Sequence, residues 1–132
     1  MTWHDPIKRI ENLNVAIDTF TKAMEKDGSN ANLYFQRARL LTKKGKYEDA
    51  LNDFENGIEL CPACSEVWRE IGDINMILGE YEKAASNYTM AINQNPNDES
   101  ICHSLGEAKF LLGYYDQAIK NFKKAWRQSK QN

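Results

Sequence analysis

No stretch of this chain approaches the roughly 20 consecutive apolar residues needed to cross a bilayer, and 27% of its residues are charged. Membrane insertion is therefore not expected. An excess of one charge is also lacking, since 17 Lys and Arg stand against 19 Asp and Glu for a formal net charge of -2. With a pI near 5.7, the chain has no global attraction for nucleic acid or acidic membranes. Cysteine is scarce and odd in number, three in all, which points to reduced thiols rather than a disulfide framework. Residues 1–6 are polar and followed by charges, with neither a secretory signal nor an Arg-rich transit peptide, so a cytoplasmic location is expected. Missing too are a Gly-rich phosphate loop, a nucleophile elbow and a paired-carboxylate pattern. The chain is not expected to be an enzyme or to need a cofactor or metal.

What is present is a period. Gly45, Gly79 and Gly113 lie 34 residues apart, and each is followed two positions later by Tyr47, Tyr81 or Tyr115. An acid follows each tyrosine (Glu48, Glu82, Asp116), then Ala50, Ala84 and Ala118, then the aromatics Phe54, Tyr88 and Phe122. Small residues recur at Gly57, Ala91 and Ala125 and, before each turn glycine, at Ala38, Gly72 and Gly106; Pro62 and Pro96 keep the same register. Three units result, 31–64, 65–98 and 99–132. A chain of 132 residues with 42% hydrophobic composition suits a single domain, and a mean hydropathy of -0.68 suits an elongated, surface-rich one.

Within each unit apolar residues recur at helical spacing in two blocks, as in Val67, Trp68, Ile71, Ile74 and Leu78, then Tyr81, Ala84, Ala85, Tyr88 and Ile92. Each unit is thus a helical hairpin. Its central glycine ends the first helix, because glycine enters the left-handed conformation without a Cβ penalty. The acid behind the tyrosine falls in the first turn of the second helix, and Pro62 and Pro96 stop that helix. The small residues let helices approach closely while the aromatics fill the space beside them, so each hairpin buries a face its neighbour leaves open. Residues 1–30 hold one further amphipathic helix, begun by Asp5 and Pro6 and carrying Ile7, Ile10, Leu13, Ile17, Phe20 and Met24. Its second half keeps the spacing of a repeat's second helix, which predicts an N-terminal cap and seven helices in total.

From about Ala31 onward the chain resembles the tetratricopeptide-repeat family. The second unit carries the resemblance best, reading Trp68, Ile71, Gly72 and Asn75, then Gly79, Tyr81, Ala84, Tyr88, Ala91 and Pro96 against the family pattern W-x2-L-G-x2-Y, A-x3-F and P. The tyrosine expected late in each first helix is replaced by Leu41, Asn75 and Lys109. The resemblance implies an all-α, right-handed superhelical solenoid of antiparallel helix pairs that acts as an adaptor or scaffold, its first helices lining a concave groove for a protein segment. The matching positions include Phe35, Arg39 and Lys43, then Glu66, Arg69, Glu70, Asp73, Met76 and Ile77, then His103, Glu107, Phe110 and Leu111. Glu66, Glu70 and Asp73 form one acidic stripe by helical spacing, with Glu107 beside it. Met76, Ile77, Phe110 and Leu111 supply an apolar floor, and Arg39 and Lys43 a basic edge. Repeats of this family that clamp a chaperone's C-terminal carboxylate use Lys and Asn in the first unit, Asn in the second and Lys and Arg in the third, where this chain has Phe35 and Arg39, then Glu70, then Ser100 and Ser104. Only Arg39 suits a carboxylate there, so that ligand is not expected.

Other features yield less. Cys61-Pro62-Ala63-Cys64 has the spacing of a redox dithiol or half a zinc site, but Cys61 ends a helix instead of starting one, and a zinc set would need distant Cys102, His103 or His4. Lys120, Lys123, Lys124, Arg127 and Lys130 make the last helix basic, read as a solvated terminus complementing the helix dipole. The final face, with Phe122 and Trp126, lacks a covering helix and offers a second reading, self-association or docking into a larger assembly. A third is a chaperone-like repeat protein for a secreted partner.

Overall fold

The structure, a computed structural model, describes residues 5–131. Among the described residues are seven α-helices and no strand: α1 (Pro6–Lys26), α2 (Ala31–Lys44), α3 (Tyr47–Leu60), α4 (Ser65–Ile77), α5 (Tyr81–Gln94), α6 (Glu99–Leu111) and α7 (Tyr115–Gln131). The expected all-α helical repeat is present. By packing, α1 to α3 form one compact unit ending at Pro62, and α4 to α7 form a second beginning at Ala63.

The three turn glycines do what their spacing predicts. Gly45, Gly79 and Gly113 have φ of 85°, 77° and 83°, where any Cβ would strain the backbone. In each turn the next amide reaches back five residues to a helix carbonyl, Lys46 to Leu41 at 2.9 Å, Glu80 to Asn75 at 2.8 Å and Tyr114 to Lys109 at 2.9 Å. This is the Schellman closure that satisfies carbonyls left open at a helix end. The acceptors are the three positions where the sequence departs from the family tyrosine. Their carbonyls close the turn whatever side chain they bear.

Helix starts are not all held alike. Asp5, Asn30 and Asp98 cap α1, α2 and α6 through side-chain oxygens that accept amides two or three residues on. The starts of α3 and α5, at Lys46 and Glu80, have no side-chain cap; their amides are already held by the turn just described. Asp98 accepts from the Ser100 hydroxyl at 2.6 Å and the Ser100 and Ile101 amides at 2.9 and 3.3 Å. Burial raises its pKa, but these hydrogen bonds outweigh burial and hold the carboxyl below its ordinary value.

In the second unit the small residues and rings interlock. A Cβ built on Gly72 would lie 2.7 Å from the Tyr88 ring, and one on Gly106 would lie 2.6 Å from the Phe122 ring. Around Tyr88 gather Ala84, Ala85 and Ala91 of α5 with Ile101, Leu105 and Ala108 of α6, and Trp68, Met76, Ile92 and Leu112 pack against that cluster. Asn75, in place of the family tyrosine, is buried and accepts the Asn87 side-chain amide at 2.7 Å.

The first unit reverses part of this arrangement. Phe35 of α2 lies over Gly57 of α3, within 2.5 Å of where a Cβ would stand, and its ring faces Phe54 at 6.4 Å. Beside them Arg37 donates two hydrogen bonds to Asp53, at 2.7 and 2.6 Å, and a third at 3.2 Å to the Thr21 hydroxyl. One guanidinium thus ties α1, α2 and α3 together.

Three stability outcomes follow from these contacts. Gly72→Ala is expected to lower stability by about 1–2 kcal/mol, because overpacking against a fixed ring outweighs the helix-propensity gain of alanine. Tyr88 is only 1% exposed and hydrogen-bonded, so it cannot retreat. Gly106→Ala should cost less, since the half-buried Phe122 ring has room to move. Asp53→Ala should cost about 3 kcal/mol, the scale of breaking a buried charge pair from one side. Urea unfolding of the three variants beside the parent checks all of these.

Candidate partner-binding surface

In the first unit the expected surface residues part company. Phe35 is 5% exposed and belongs to the core just described, so it is corrected from ligand contact to packing residue. Its helical position suggested a surface, but the α2–α3 pair buries it because Gly57 leaves space for the ring. Arg39 is half-buried and Lys43 exposed, both on α2.

In the second unit the acids of α4 are linked as the helical spacing requires, with an addition that spacing alone did not supply. Arg69 lies between them, 3.9 Å from Glu66 and 3.5 Å from Asp73, and so neutralises part of the stripe. The Tyr88 hydroxyl donates to Asp73 at 2.5 Å. A polar path thus runs from Tyr88 through Asp73 to Arg69. Burial, followed by the like charges of Glu70 and Glu107, raises the Asp73 carboxyl above its usual range against the opposing effects of Tyr88 and Arg69. Burial and the bond to Asp73 likewise push the Tyr88 phenol far up. Glu107 of α6 is near enough for its charge to act on both groups. His103 Nε2 donates to Glu107 at 2.7 Å, and its imidazole faces the Phe122 ring at 5.4 Å.

The apolar members also divide. Met76 is partly buried against the Tyr88 cluster, whereas Ile77, Phe110 and Leu111 are exposed large hydrophobics. Ile77 and Leu111 are equivalent positions, one period apart on α4 and α6. Phe110 is braced edge-on against Tyr115 at 5.3 Å, which holds its ring outward at low entropic cost. Beyond them, Phe122 is half-buried under His103 and Gly106, and Trp126 is exposed with the Lys130 ammonium 4.1 Å above its ring.

The polar contacts that sequence reasoning missed are Arg37–Asp53, Tyr88–Asp73 and Asn75–Asn87. A signal for two of them was present, since Asp53, Asn87 and Asn121 precede the three periodic aromatics in one register. Cysteine requires a correction. Cys61 and Cys64 are disulfide-bonded and Cys102 is the free cysteine, against the expected reduced thiols; a tight turn brings residues three apart within disulfide range. Cys102 is fully buried, and burial raises its pKa, which makes it an inert thiol. Among the described residues no group of three or more His, Cys, Asp or Glu is placed to hold a metal ion; His4 lies outside them. No described helix is long and apolar enough to cross a membrane.

Comparisons with known proteins agree with the fold. Three family models match: tetratricopeptide repeat over residues 19–52, TPR repeat over 72–113 and tetratricopeptide repeat over 99–132. No curated protein matches the sequence. Among solved structures, a crystal structure of MamA superposes with a TM-score of 0.87 at 24% identity, covering 90% of this chain and 70% of its own. A second MamA crystal structure gives 0.84 at 24%, covering 89% and 64%. MamA from Desulfovibrio magneticus RS-1 gives 0.84 at 17%, covering 93% and 70%. Likeness at these identities is likeness of fold. The match beginning at residue 19 takes in the second half of α1, the part whose spacing copies a repeat's second helix. Period, paired helices, left-handed turn glycines and three family matches converge, and the chain belongs to the tetratricopeptide-repeat family.

Proposed function

We propose that this protein is an adaptor or scaffold that binds a segment of a partner protein on the surface of α4 and α6. A repeat family that presents helix faces supports a protein-interaction module. The observation that carries the reading is on α4 and α6: exposed Ile77, Phe110 and Leu111 share these helices with the acids Glu70, Asp73 and Glu107. Monomeric proteins seldom leave large apolar groups exposed together without use. The matching ligand is a segment with apolar anchors and positive charge, the anchors supplying affinity and the charges orientation.

Asp73 sharpens the reading. A carboxyl whose folded pKa is raised costs stability at neutral pH, because the native state must hold it ionised against burial and neighbouring acids. That cost disappears as pH falls through the raised value toward the unfolded one, near 3.9. An acid kept where it weakens the fold is consistent with a binding role.

Asp73→Asn should therefore stabilise the protein at pH 7, with the gain shrinking to nothing near pH 3, and should weaken a cationic partner about fivefold, the scale of 1 kcal/mol. Thermal unfolding across pH and calorimetric titration of a captured partner measure the two effects. To capture one, native lysate is passed over the immobilised parent and over a Glu70→Lys/Phe110→Ala variant, and the retained proteins are identified by mass spectrometry. Proteins held by the parent and lost by the variant are expected; identical profiles would overturn the reading.

A further inference from the structure

The 34-residue period places the same three kinds of side chain in the same order on α4 and α6. Arg69, Asp73 and Ile77 follow one another at one-turn intervals on α4, and His103, Glu107 and Leu111 do so on α6. Arg69 lies 3.5 Å from Asp73, and His103 donates to Glu107 at 2.7 Å. Because α4 and α6 both pack against α5, equivalent residues form rows that cross the two helices: bases, then acids, then aliphatics, each row about 6 Å along the helix from the last. Ile77 is 59% exposed even with α5 and α6 packed after it, so its exposure comes from the direction it faces and not from a missing neighbour. Leu111 repeats it at 50%. Phe110 stands outside this row, since its equivalent on α4, Met76, is half-buried.

Charge says what the acid row receives. Glu70 and Glu107 both act on Asp73, so carboxylates from two helices converge there. The Tyr88 hydroxyl holds Asp73, and the His103 imidazole holds Glu107. Both carboxylates are thereby oriented before a ligand arrives, and with about four acceptor sites each they retain capacity for a further donor. The base row acts in the opposite sense, because a cation placed over it meets Arg69. A partner's basic groups therefore sit on the acids, directly beside its apolar groups. Conformation follows from what the two helices lack. The single carboxamide on either of them, Asn75, is buried and bonded to Asn87, and mid-helix backbone groups are already paired within their own helices. An extended segment would find no side chain offering donor and acceptor together to its peptide groups, whereas a helix satisfies its own.

We infer that the segment bound by the α4–α6 surface is an amphipathic α-helix lying across both helices, its apolar stripe on Ile77 and Leu111 and a basic stripe directly beside it on Asp73 and Glu107. The inference rests on the surface proposed above and adds the partner's conformation and the order of its side chains.

The test uses a stapled, fluorescein-labelled Ala-based helical peptide with Leu at i, i+4, i+7 and i+11 and a Lys directly after each Leu. Its control has the same composition with each Lys two places after its Leu, which turns the basic stripe to the far side of the helix. Anisotropy should show saturable binding of the first peptide to the full chain and at least tenfold weaker binding of the control, although both carry equal charge. Affinity should fall at least tenfold for Ile77→Ser/Leu111→Ser and severalfold for Glu107→Lys, and Glu107→Lys should in turn favour a peptide with Glu in place of Lys. These variants alter exposed side chains, so circular dichroism should be unchanged. Equal binding of the two isomers, equal binding of an unstapled, proline-interrupted peptide with the first side-chain order, or no binding at millimolar concentration would overturn the inference. Comparison of lysate proteins retained by the parent and by the Glu70→Lys/Phe110→Ala variant reads the surface itself, so failure of the helix and failure of the surface are distinguishable.

Discussion

A side chain reduced to hydrogen opposite an aromatic ring is the contact on which the second unit depends. Helices approach until Gly72 meets the Tyr88 ring and Gly106 meets the Phe122 ring, closer than any Cβ would allow. That approach sets the spacing at which Ala84, Ala91 and Ala108 become fully buried and at which α6 can close over α5. Because close-packed interiors transmit such constraints instead of absorbing them, the ring at position 88 also fixes its own hydroxyl. From there the hydrogen bond to Asp73 carries the geometry of the core outward to the acids of α4. The residue that locks the helix pair therefore also positions the charge nearest the proposed binding surface.

The first unit meets the same requirement differently. Its periodic small position is Ala38 instead of glycine, and the ring-over-glycine contact moves to Phe35 and Gly57, with the aromatic now on the first helix. The bidentate Arg37–Asp53 pair stands beside it and engages Thr21 on α1. A buried ion pair gives little net stability over a well-packed apolar pair, since desolvation offsets its attraction. Its geometry is nevertheless demanding, and a guanidinium with three fixed partners admits few alternative registers for α1. The helix that begins the chain has no buried residue of its own, so this directional contact supplies specificity where packing supplies little.

Most of the architecture was legible because it rests on backbone rules and periodic apolar spacing. The left-handed glycines, the seven helices and the small-against-large pairing all follow from residue types at fixed intervals. The surface was less legible, for reasons visible in single residues. Phe35 occupies a helical position that faces a ligand in an idealised repeat, yet it turns into packing, because Gly57 leaves room that helical spacing does not encode. Glu66 and Asp73 were readable as acids but not as partners of Arg69, since ion pairing depends on rotamers as well as register. Asp53 illustrates the limit from the other side: a charged residue inside a helix normally signals solvent, and only its partner sixteen residues earlier makes burial tolerable.

Repetition also makes each exposed position interpretable by its covered equivalent, which isolated folds do not permit. On α7 the positions matching Ala85 and Ile92 hold Ile119 and Trp126, larger and no less apolar, and both are exposed where Ala85 is buried. The period likewise makes charge comparable from helix to helix: α4 carries three acids and one arginine, whereas α7 carries one acid and five basic residues. A formal net charge of -2 conceals that division, because opposite signs collected on different helices cancel in the sum while remaining separate in space.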